Sequence, residues 1–267
     1  MVSKSALVVA ATIVVSGLLA APSAHAQIVN VQSAMSSKTK PGFSFAVTGS
    51  VKWFTGNADI LFISVSPITT FKAGKHLLLG FGNVSFARSG GADIIFRTHE
   101  HLRYRYKANS WLTPEAFVQH AFDKFKRLNI RTLVGAGPSI RVIDRKQLSL
   151  AWGVAYMFEY EKLSTTNDEM GVPLSDSGEI HKDHRGSSYL MGSFNLDDRV
   201  ALVETLFVQP RLTDPSDVRL LSDSTINVSL TKRVTLSNSF IIAYDRNPPV
   251  TVRRLDTRLL SSLTLKL

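Results

Sequence analysis

Large apolar side chains occupy every second position of segment 147–161, from Leu148 to Tyr160, and smaller or polar residues fill the positions between them. This period of two predicts a β-strand. The apolar face ends in three aromatic residues, Tyr156, Phe158 and Tyr160, as in the interfacial girdle of a membrane-spanning strand. The segment is therefore predicted to be a strand that faces lipid on one side.

Segments rich in β-branched, aromatic and hydroxyl residues recur along the chain, separated by turn sequences such as Gly56-Asn57 and Asp214-Pro215-Ser216. Each segment has the roughly 9–11 residues that a tilted strand needs to cross a bilayer. The predicted strands span 43–54, 58–71, 75–88, 92–107, 112–123, 128–142, 147–161, 184–196, 200–212, 216–230, 234–245 and 251–267. This pattern predicts an all-β fold, a transmembrane antiparallel up-and-down β-barrel of about 12 strands, in which the last strand closes against the first.

An even number of strands places both termini of the barrel in the periplasm. The longest connection, 162–183, then faces the outside, where such barrels have their long loops. A soluble β-sandwich is the alternative. It would bury only one apolar face of each sheet and would not collect the long connections at one end.

The N-terminus has the pattern of a secretory signal peptide. Lys4 precedes an apolar run from Ala6 to Ala20, and Ala24-His25-Ala26 provides a small-residue cleavage site. The run is shorter than the roughly 20 residues of a spanning helix. The predicted domains are a signal peptide at 1–26, a periplasmic leader at 27–42 that either enters the lumen or lies free, and the outer-membrane β-barrel at 43–267.

The composition narrows the chemistry of the chain, which has no cysteine and a formal net charge of +10. Disulfides, thiolate metal sites and haem attachment are excluded, and no nucleotide-binding or zinc-hydrolase motif occurs. Export to the cell envelope argues against nucleic acid as the partner of the basic residues. The expected partners are outer-membrane lipid and lipopolysaccharide, the barrel assembly machinery, and small ions or anions. No cofactor is expected, and the oligomeric state stays open.

The fourth predicted strand alternates basic residues with apolar or neutral ones. A single Arg or Lys at the bilayer midplane costs about 2–4 kcal/mol, so the basic row is expected to face the lumen. This row consists of Arg97, His99, His101, Arg103, Arg105 and Lys107. The same alternation points further polar residues into the lumen, namely Glu115, Gln119, Asp123, Arg131, Glu159, Glu161, Arg185, Asp217, Arg219, Asp223, Asp256 and Arg258.

Two interpretations of this lining are open. A basic stripe would attract anions into a pore, whereas an interlocked ion-pair network would plug the lumen and stabilise the barrel. Twelve strands lie between the small barrels that side chains fill and the large ones that enclose an aqueous channel. We therefore predict a non-enzymatic barrel, either a narrow or occluded channel or a structural protein of the envelope under osmotic stress.

Two groups of residues have side chains of the kind that bind metals. His99 and His101 share one strand face with a spacing that suits a metal pair, but the flanking arginines would repel a cation. The long connection carries Asp176, Glu179, His181, Asp183 and His184. It is expected to be a solvated loop rather than a site for a divalent ion. No metal is therefore predicted.

Three polar residues are predicted on the lipid face at mid-depth. Pairing across two hairpins sets Glu100 opposite His120, and His120 opposite Thr132. A hydroxyl, an imidazole and a carboxylate are the parts of a hydrolase triad, so an outer-membrane lipid hydrolase is one alternative. Threonine is a poor nucleophile here, and no oxyanion-hole donor is evident. The three residues could instead form a simple hydrogen-bonded polar pair, or an interface to another envelope protein.

Several short motifs are similar, in order and spacing, to those of a known family. They are WFTGNAD at 53–59, HLRYRY at 101–106, PEAFVQ at 114–119, RTLVGAG at 131–137, RGSSY at 185–189, and toward the C-terminus Gln209-Pro210, Tyr244-Asp245 and Asp256-Thr257. On these motifs the chain resembles the salt-induced outer-membrane proteins of the domain-of-unknown-function family DUF481. The resemblance covers nearly all of 43–267. It implies a porin-like β-barrel in the outer membrane of a Gram-negative bacterium, with no assigned activity.

Overall fold

The computed structural model describes residues 41–55 and 59–266. This part of the chain forms twelve strands and a short 3-10 helix at Lys124–Lys126. The strands are β1 (Gly42–Phe54), β2 (Ile60–Ala73), β3 (His76–Ser89), β4 (Ala92–Tyr106), β5 (Leu112–Asp123), β6 (Leu128–Asp144), β7 (Leu148–Leu163), β8 (Ile180–Asn195), β9 (Val200–Pro210), β10 (Val218–Ser229), β11 (Val234–Asp245) and β12 (Leu255–Lys266). Within these ranges no helix has the length and apolar character needed to cross a membrane.

The strands form one closed antiparallel barrel. Each strand pairs with its neighbours in the sequence, and β12 pairs with β1 to complete the ring. The closing pairs run from Ala46 opposite Lys266 to Gly49 opposite Leu263. These pairs leave no strand of the sheet without a neighbour on either side, as a sheet in lipid requires. The predicted fold class and the number of strands are confirmed.

The two faces of each strand differ sharply in exposure. In β7 the outward residues Trp152, Val154 and Tyr156 are exposed, whereas the inward residues Ala155 and Met157 are buried. Large apolar residues are exposed in the same way around the ring, among them Val65, Val84, Phe96, Leu102, Val118, Val134, Leu206, Leu220, Phe240 and Leu259. A continuous apolar outer wall of this kind faces lipid.

The connections differ in length between the two ends of the barrel. One end, here called the short-turn end, holds the connections 74–75, 107–111, 145–147, 196–199 and 230–233. The other, called the long-loop end, holds 55–59, 90–91, 124–127, 164–179, 211–217 and 246–254. Residues Gly42 and Lys266 lie at the short-turn end. We predict that the long-loop end faces outside, because such barrels have their longer loops on that side.

Some predicted boundaries are wrong. β7 continues to Leu163 and β8 begins at Ile180, so the predicted connection 162–183 shortens to 164–179. The polar residues at the two ends of the predicted connection belong to β7 and β8, because strand pairing depends on backbone hydrogen bonds rather than on apolar side chains. β12 begins at Leu255 rather than at 251, because Thr251 has a left-handed φ of 74° that interrupts a strand. The predicted signal peptide at 1–26 and nearly all of the leader lie outside the described residues.

The closed ladder predicts heat-modifiable migration on a denaturing gel. Unheated protein in dodecyl sulfate is expected to stay folded and to migrate differently from boiled protein, because all of the strands are joined by backbone hydrogen bonds. The measurement compares heated and unheated samples of the membrane fraction. Identical migration of the two samples, with the protein in the soluble fraction, would contradict a transmembrane barrel.

Candidate functional site: the lumen of the barrel

The predicted basic row lies on the inner face of β4. Its members on that strand, all buried or half-buried, are Arg97, His99, His101, Arg103 and Arg105. Lys107 is a correction to the predicted row: β4 ends at Tyr106, so Lys107 lies exposed in the connection 107–111. The predicted lumen partners are buried or half-buried on the inner face or at its rim; they are Glu115, Gln119, Asp123, Arg131, Glu159, Glu161, Arg185, Asp217, Arg219, Asp223, Asp256 and Arg258.

Glu159 is the centre of an ion-pair network that crosses the lumen. Its buried carboxylate accepts hydrogen bonds from Arg131 at 2.6 Å and from Arg219 at 2.7 Å. Arg185 Nε lies 3.5 Å from the same carboxylate. Arg219 is on β10 and Glu159 is on β7, with β8 and β9 between them in the ring, so their contact spans the interior.

Further carboxylates complete the network around Glu159. Arg219 also donates to Asp245 at 2.9 Å, and Arg185 donates to Asp217 at 3.1 Å. Arg211 forms an ion pair with Asp217 at the long-loop end. Buried charges are costly unless they are paired and hydrogen-bonded. The arrangement satisfies this requirement, since each of these guanidinium groups has a carboxylate partner.

A second contact crosses the lumen nearer the short-turn end. The Tyr189 hydroxyl on β8 lies 3.0 Å from Glu115 Oε1 on β5 and 2.9 Å from Ser139 Oγ on β6. Glu115 also forms ion pairs with Arg103 at 3.1 Å and with Arg105 at 3.2 Å. Because two arginines share one carboxylate, this level of the lumen carries a local excess of positive charge.

A glycine makes room for Tyr189 in the lumen. Gly153 on β7 lies opposite Tyr189 in the ladder. A Cβ atom at position 153 would lie 2.2 Å from the Tyr189 ring, which is far inside van der Waals contact. Glycine within a strand often marks such a close approach. The contact between Tyr189 and Glu115 therefore depends on the absence of a side chain at Gly153.

Apolar side chains fill much of the remaining lumen, which the sequence pattern did not lead us to predict. One cluster consists of Phe117, Leu133, Ala155 and Met157, and another of Tyr189, Phe207, Leu221, Ile241 and Ala243. These residues share the inward parity of the charged lining, so the signal was present in the strand alternation. The lumen is therefore packed as a mixed core, with ion pairs and apolar side chains at different levels.

A cavity of about 200 Å³ remains in the lumen, lined by residues of β1 to β6 and of β10 to β12. Its charged lining residues are Arg97, Asp123, Lys126, Arg131, Asp223 and Arg258. Lys126 belongs to the 3-10 helix after β5, where Asp123 Oδ1 caps the helix by accepting from the Phe125 and Lys126 amides at 3.1 Å. Burial lowers the pKa of the Lys126 ammonium well below its usual range, and the nearby Asp123 carboxylate opposes this shift.

The two histidines of the basic row are packed rather than placed as a metal pair. Their ring centroids are 6.4 Å apart, and His101 stacks on Phe117 at 5.9 Å. The His101 Nε2 atom accepts a hydrogen bond from Arg103 Nε at 3.2 Å, which requires that nitrogen to be unprotonated. Among the residues that the structure describes, no group of three or more metal-binding side chains is placed to hold an ion.

Three connections of the long-loop end are joined to one another. Arg127 Nη1 donates to Asp176 Oδ1 at 2.6 Å and to the Val250 carbonyl at 2.9 Å. The Val250 amide in turn donates to Asp176 Oδ2 at 2.7 Å. Asp176 is therefore buried, which corrects the expectation of a fully solvated loop, because both of its oxygens accept hydrogen bonds within the protein. These contacts tie 124–127, 164–179 and 246–254 together.

The structure brings the three predicted lipid-face residues together on the outer wall. Glu100 lies opposite His120, and His120 lies opposite Thr132. The His120 Nδ1 atom is 3.2 Å from Thr132 Oγ1. The Glu100 side chain is exposed on the outer surface. The register expected from the hairpins is therefore present in the structure.

A second carboxylate on the outer wall was not predicted from the sequence. Glu204 on β9 accepts one hydrogen bond from Ser222 at 3.0 Å and another from Ser224. Both serines lie on β10. The signal was available, because Glu204 stands between Leu202 and Leu206 on the apolar face of β9. Two neighbouring hydroxyl donors lower the cost of placing a carboxylate on this face.

The central position of Glu159 predicts a large effect of Glu159→Gln on stability. Loss of this charge leaves Arg131, Arg185 and Arg219 facing one another, so we expect a loss of about 3–5 kcal/mol in the free energy of unfolding. Denaturant unfolding in detergent measures it. The control is Asp93→Asn, which removes one member of an exposed ion pair with Arg88 and should cost at most about 1 kcal/mol. Equal losses in the two variants would argue against the role given to Glu159.

The comparisons with known proteins agree with this architecture. NanC porin is 9% identical over 83% of this chain and 98% of its own, with a TM-score of 0.50. The translocator domain of the autotransporter NalP from Neisseria meningitidis is 11% identical over 88% of this chain and 92% of its own, also with a TM-score of 0.50. At such identities the likeness shows the shared barrel fold alone. No curated protein matches the sequence significantly. A family model described as "Protein of unknown function, DUF481" matches residues 50–267, and the chain therefore belongs to the DUF481 family.

Proposed function

We propose that this protein is a narrow, occluded channel in the outer membrane of a Gram-negative bacterium, and that residues 1–26 direct its export. The apolar outer wall supports the location in a membrane, and the filled polar lumen supports the occlusion. The observation that carries the proposal is the contact of Arg219 with Glu159, which joins β10 to β7 across the interior at 2.7 Å.

This contact is a barrier because its charges are buried and mutually satisfied. Glu159 accepts from Arg131 as well, and Arg219 also binds Asp245. Breaking a buried ion pair costs about 3–5 kcal/mol, because an uncompensated charge remains in the interior. A hydrated ion therefore passes only when the network rearranges or is removed.

The basic row of β4 does not act as a bare stripe of positive charge. Arg97 interacts electrostatically with Asp123 and Asp256, and Arg103 is paired with Glu115. The local excess of positive charge lies where Arg103 and Arg105 share Glu115. In an opened lumen this level would favour anions over cations, since charged linings determine the selectivity of pores.

A role of the same channel in osmotic stress is consistent with the position of its outermost ion pairs. Arg211 is partly exposed and lies 3.4 Å from Asp183. Salt screens such pairs, because the Debye length falls from about 10 Å at 0.1 M to about 3 Å at 1 M. Concentrated salt would therefore loosen the rim of the network before its buried centre, and the channel would open more readily.

Removal of the cross-lumen pair tests the channel proposal. The variant Glu159→Ala with Arg219→Ala loses one charge of each sign from the network. The control Arg88→Ala with Asp93→Ala loses an exposed pair, 3.0 Å apart, in the β3–β4 hairpin. In planar bilayers with an asymmetric salt gradient, we expect low conductance from the wild type and the control. The cross-lumen variant should conduct several-fold more and prefer anions.

Heat-modifiable migration of each variant shows that it is folded before conductance is compared. If all three folded proteins show only background conductance, the channel proposal is contradicted, and a purely structural role of the barrel remains. A wild type that conducts as well as the cross-lumen variant would contradict the occlusion.

A lipid hydrolase is a second candidate, favoured by the distance of 3.2 Å between His120 and Thr132. With Glu100 opposite His120, the imidazole is placed to take the hydroxyl proton of Thr132. The backbones of β5 and β6 are paired with each other at these positions. Their N–H groups are therefore not available to stabilise an oxyanion, which is the main physical argument against this activity.

The hydrolase is tested with labelled phospholipid and lipopolysaccharide in detergent. We expect no released product from the wild type, because an oxyanion donor is lacking at Thr132. Product from the wild type and from His76→Ala, together with its loss in His120→Ala, would instead establish a hydrolase. His76 is a suitable control because it lies on the barrel wall beside Tyr104, away from this cluster.

A further inference from the structure

The seam between β1 and β12 is paired over only part of its length. Ladder pairs join β12 to the four residues 46–49 of β1. The next contact, from Ser50 Oγ to the Ser261 carbonyl at 3.2 Å, is made by a side chain. In the described part of the chain, no ladder pair joins residues 50–54 to β12, although β2 pairs with them on their other side. We call this region, 50–54 with 255–262, the parted seam.

The exposure of outward side chains agrees with the missing pairs. Val51 and Trp53 of β1 are 69% and 75% exposed. Val154 and Trp152, the same residue types on β7, which pairs with β6 and β8, are 40% and 43% exposed. The outward residues of β1 therefore lack the neighbours that a continuous wall provides at the parted seam.

The lumen cavity lies directly behind the parted seam. Its lining includes Thr48 and Ser50 of β1 together with Arg258, Leu260 and Ser262 of β12. Inward-facing residues of both edges therefore form one wall of the cavity. An amphiphile in the bilayer could reach this space between the two strands without crossing the network around Glu159.

Two buried groups in the cavity lining lack hydrogen-bond partners within the described residues. Lys126 Nζ donates no hydrogen bond, and both ring nitrogens of His99 are unpaired. These side chains are only 2% and 5% exposed. A buried donor without an acceptor is costly, so its presence points to a ligand that supplies acceptor atoms.

The lining offers an anion several basic and polar donors. Four basic residues, Arg97, Lys126, Arg131 and Arg258, face the cavity with two carboxylates, Asp123 and Asp223. Hydroxyl and amide groups complete the lining, among them Ser64, Ser66, Asn83 and Ser85. A phosphate group matches this set, since its oxygens accept several charge-assisted hydrogen bonds. A cavity of about 200 Å³ is large enough for it, because one water occupies only about 30 Å³.

We infer that the cavity binds the phosphate-bearing headgroup of a lipid that enters from the bilayer through the parted seam. Unpaired strand edges are costly in hydrocarbon, and a lipid headgroup between β1 and β12 supplies polar partners for them. The acyl chains would stay outside, beside Trp53 and Leu259, which are exposed on the two edges. Because the parted seam lies toward the long-loop end, the lipid would come from the outer leaflet.

Lipid binding in nanodiscs of phosphatidylcholine tests this inference independently of conductance. The probes are dioctanoyl phosphatidic acid and inorganic phosphate, titrated calorimetrically with empty nanodiscs as the blank. We expect saturable binding of the lipid, weakened about tenfold or more by Lys126→Gln through loss of the buried amine that would donate to the phosphate. Lys124→Gln is the matched control, because Lys124 lies exposed on the same short helix.

A reversible cross-link tests the route of entry. The chain has no cysteine, so Val51→Cys with Ser261→Cys introduces its only thiols, which a short reducible bis-thiosulfonate reagent can bridge. The control pair, Val47→Cys with Leu265→Cys, bridges a ladder pair of the closed part of the seam. We expect the first cross-link to abolish binding of phosphatidic acid until reductant is added, and the control to leave binding unchanged.

Three contrary results would each overturn part of the inference. Binding of phosphatidic acid that survives the first cross-link would overturn entry through the parted seam. Binding of inorganic phosphate without phosphatidic acid would overturn the lipid source and leave a site for a free anion. Equal affinities of the wild type and a heat-modifiable Lys126→Gln variant would overturn the assignment of the cavity as the binding site. The absence of binding of either probe would overturn it as well.

Discussion

The exclusion of charge from the lipid-facing wall is the constraint on which the rest of the structure depends. Successive side chains of a strand point to opposite faces, and the outer face must be apolar. Nearly every ionisable residue of the strands therefore points into the lumen. The interior of this twelve-stranded barrel is narrow enough for side chains of strands that are not neighbours to touch, as Arg219 of β10 and Glu159 of β7 do at 2.7 Å. Charges confined there must be paired, and in the proposed channel their pairing closes the lumen.

Stability and the proposed occlusion therefore depend on the same contacts. Tyr189 packs against Phe207 and also reaches Glu115 on β5, three strands away in the ring, so one side chain belongs to both the apolar core and the polar network. The space for it is provided by Gly153 on the neighbouring strand. In a wide pore such contacts are absent and the lining is free to bind ions. Here an opened path requires the loss of interactions that hold the barrel together.

The sequence predicts what depends on neighbouring strands and fails where distant strands meet. The alternation of apolar and polar side chains predicted the two faces of β7, and pairing across the hairpins predicted the register of Glu100, His120 and Thr132. The contact of Tyr189 with Glu115 depends on the tilt and stagger of strands that are not adjacent, which no local pattern encodes. The extension of β8 back to Ile180 was missed for a different reason: its polar residues pair through the backbone alone.

The outer wall departs from its apolar rule in three separate sectors. Glu100 lies opposite Gly82 on one side and His120 on the other. Glu204 repeats this arrangement with Gly192 and Ser224. In both sectors a polar residue on the following strand lowers the cost of the carboxylate, and the glycine leaves space beside it. The third sector is the parted seam, where no ladder pair joins residues 50–54 to β12 in the described part of the chain. The remaining wall is mostly apolar, with single polar groups such as Ser188 and Asn238 among the apolar side chains, so we expect specific recognition of molecules in the bilayer mainly at these three sectors.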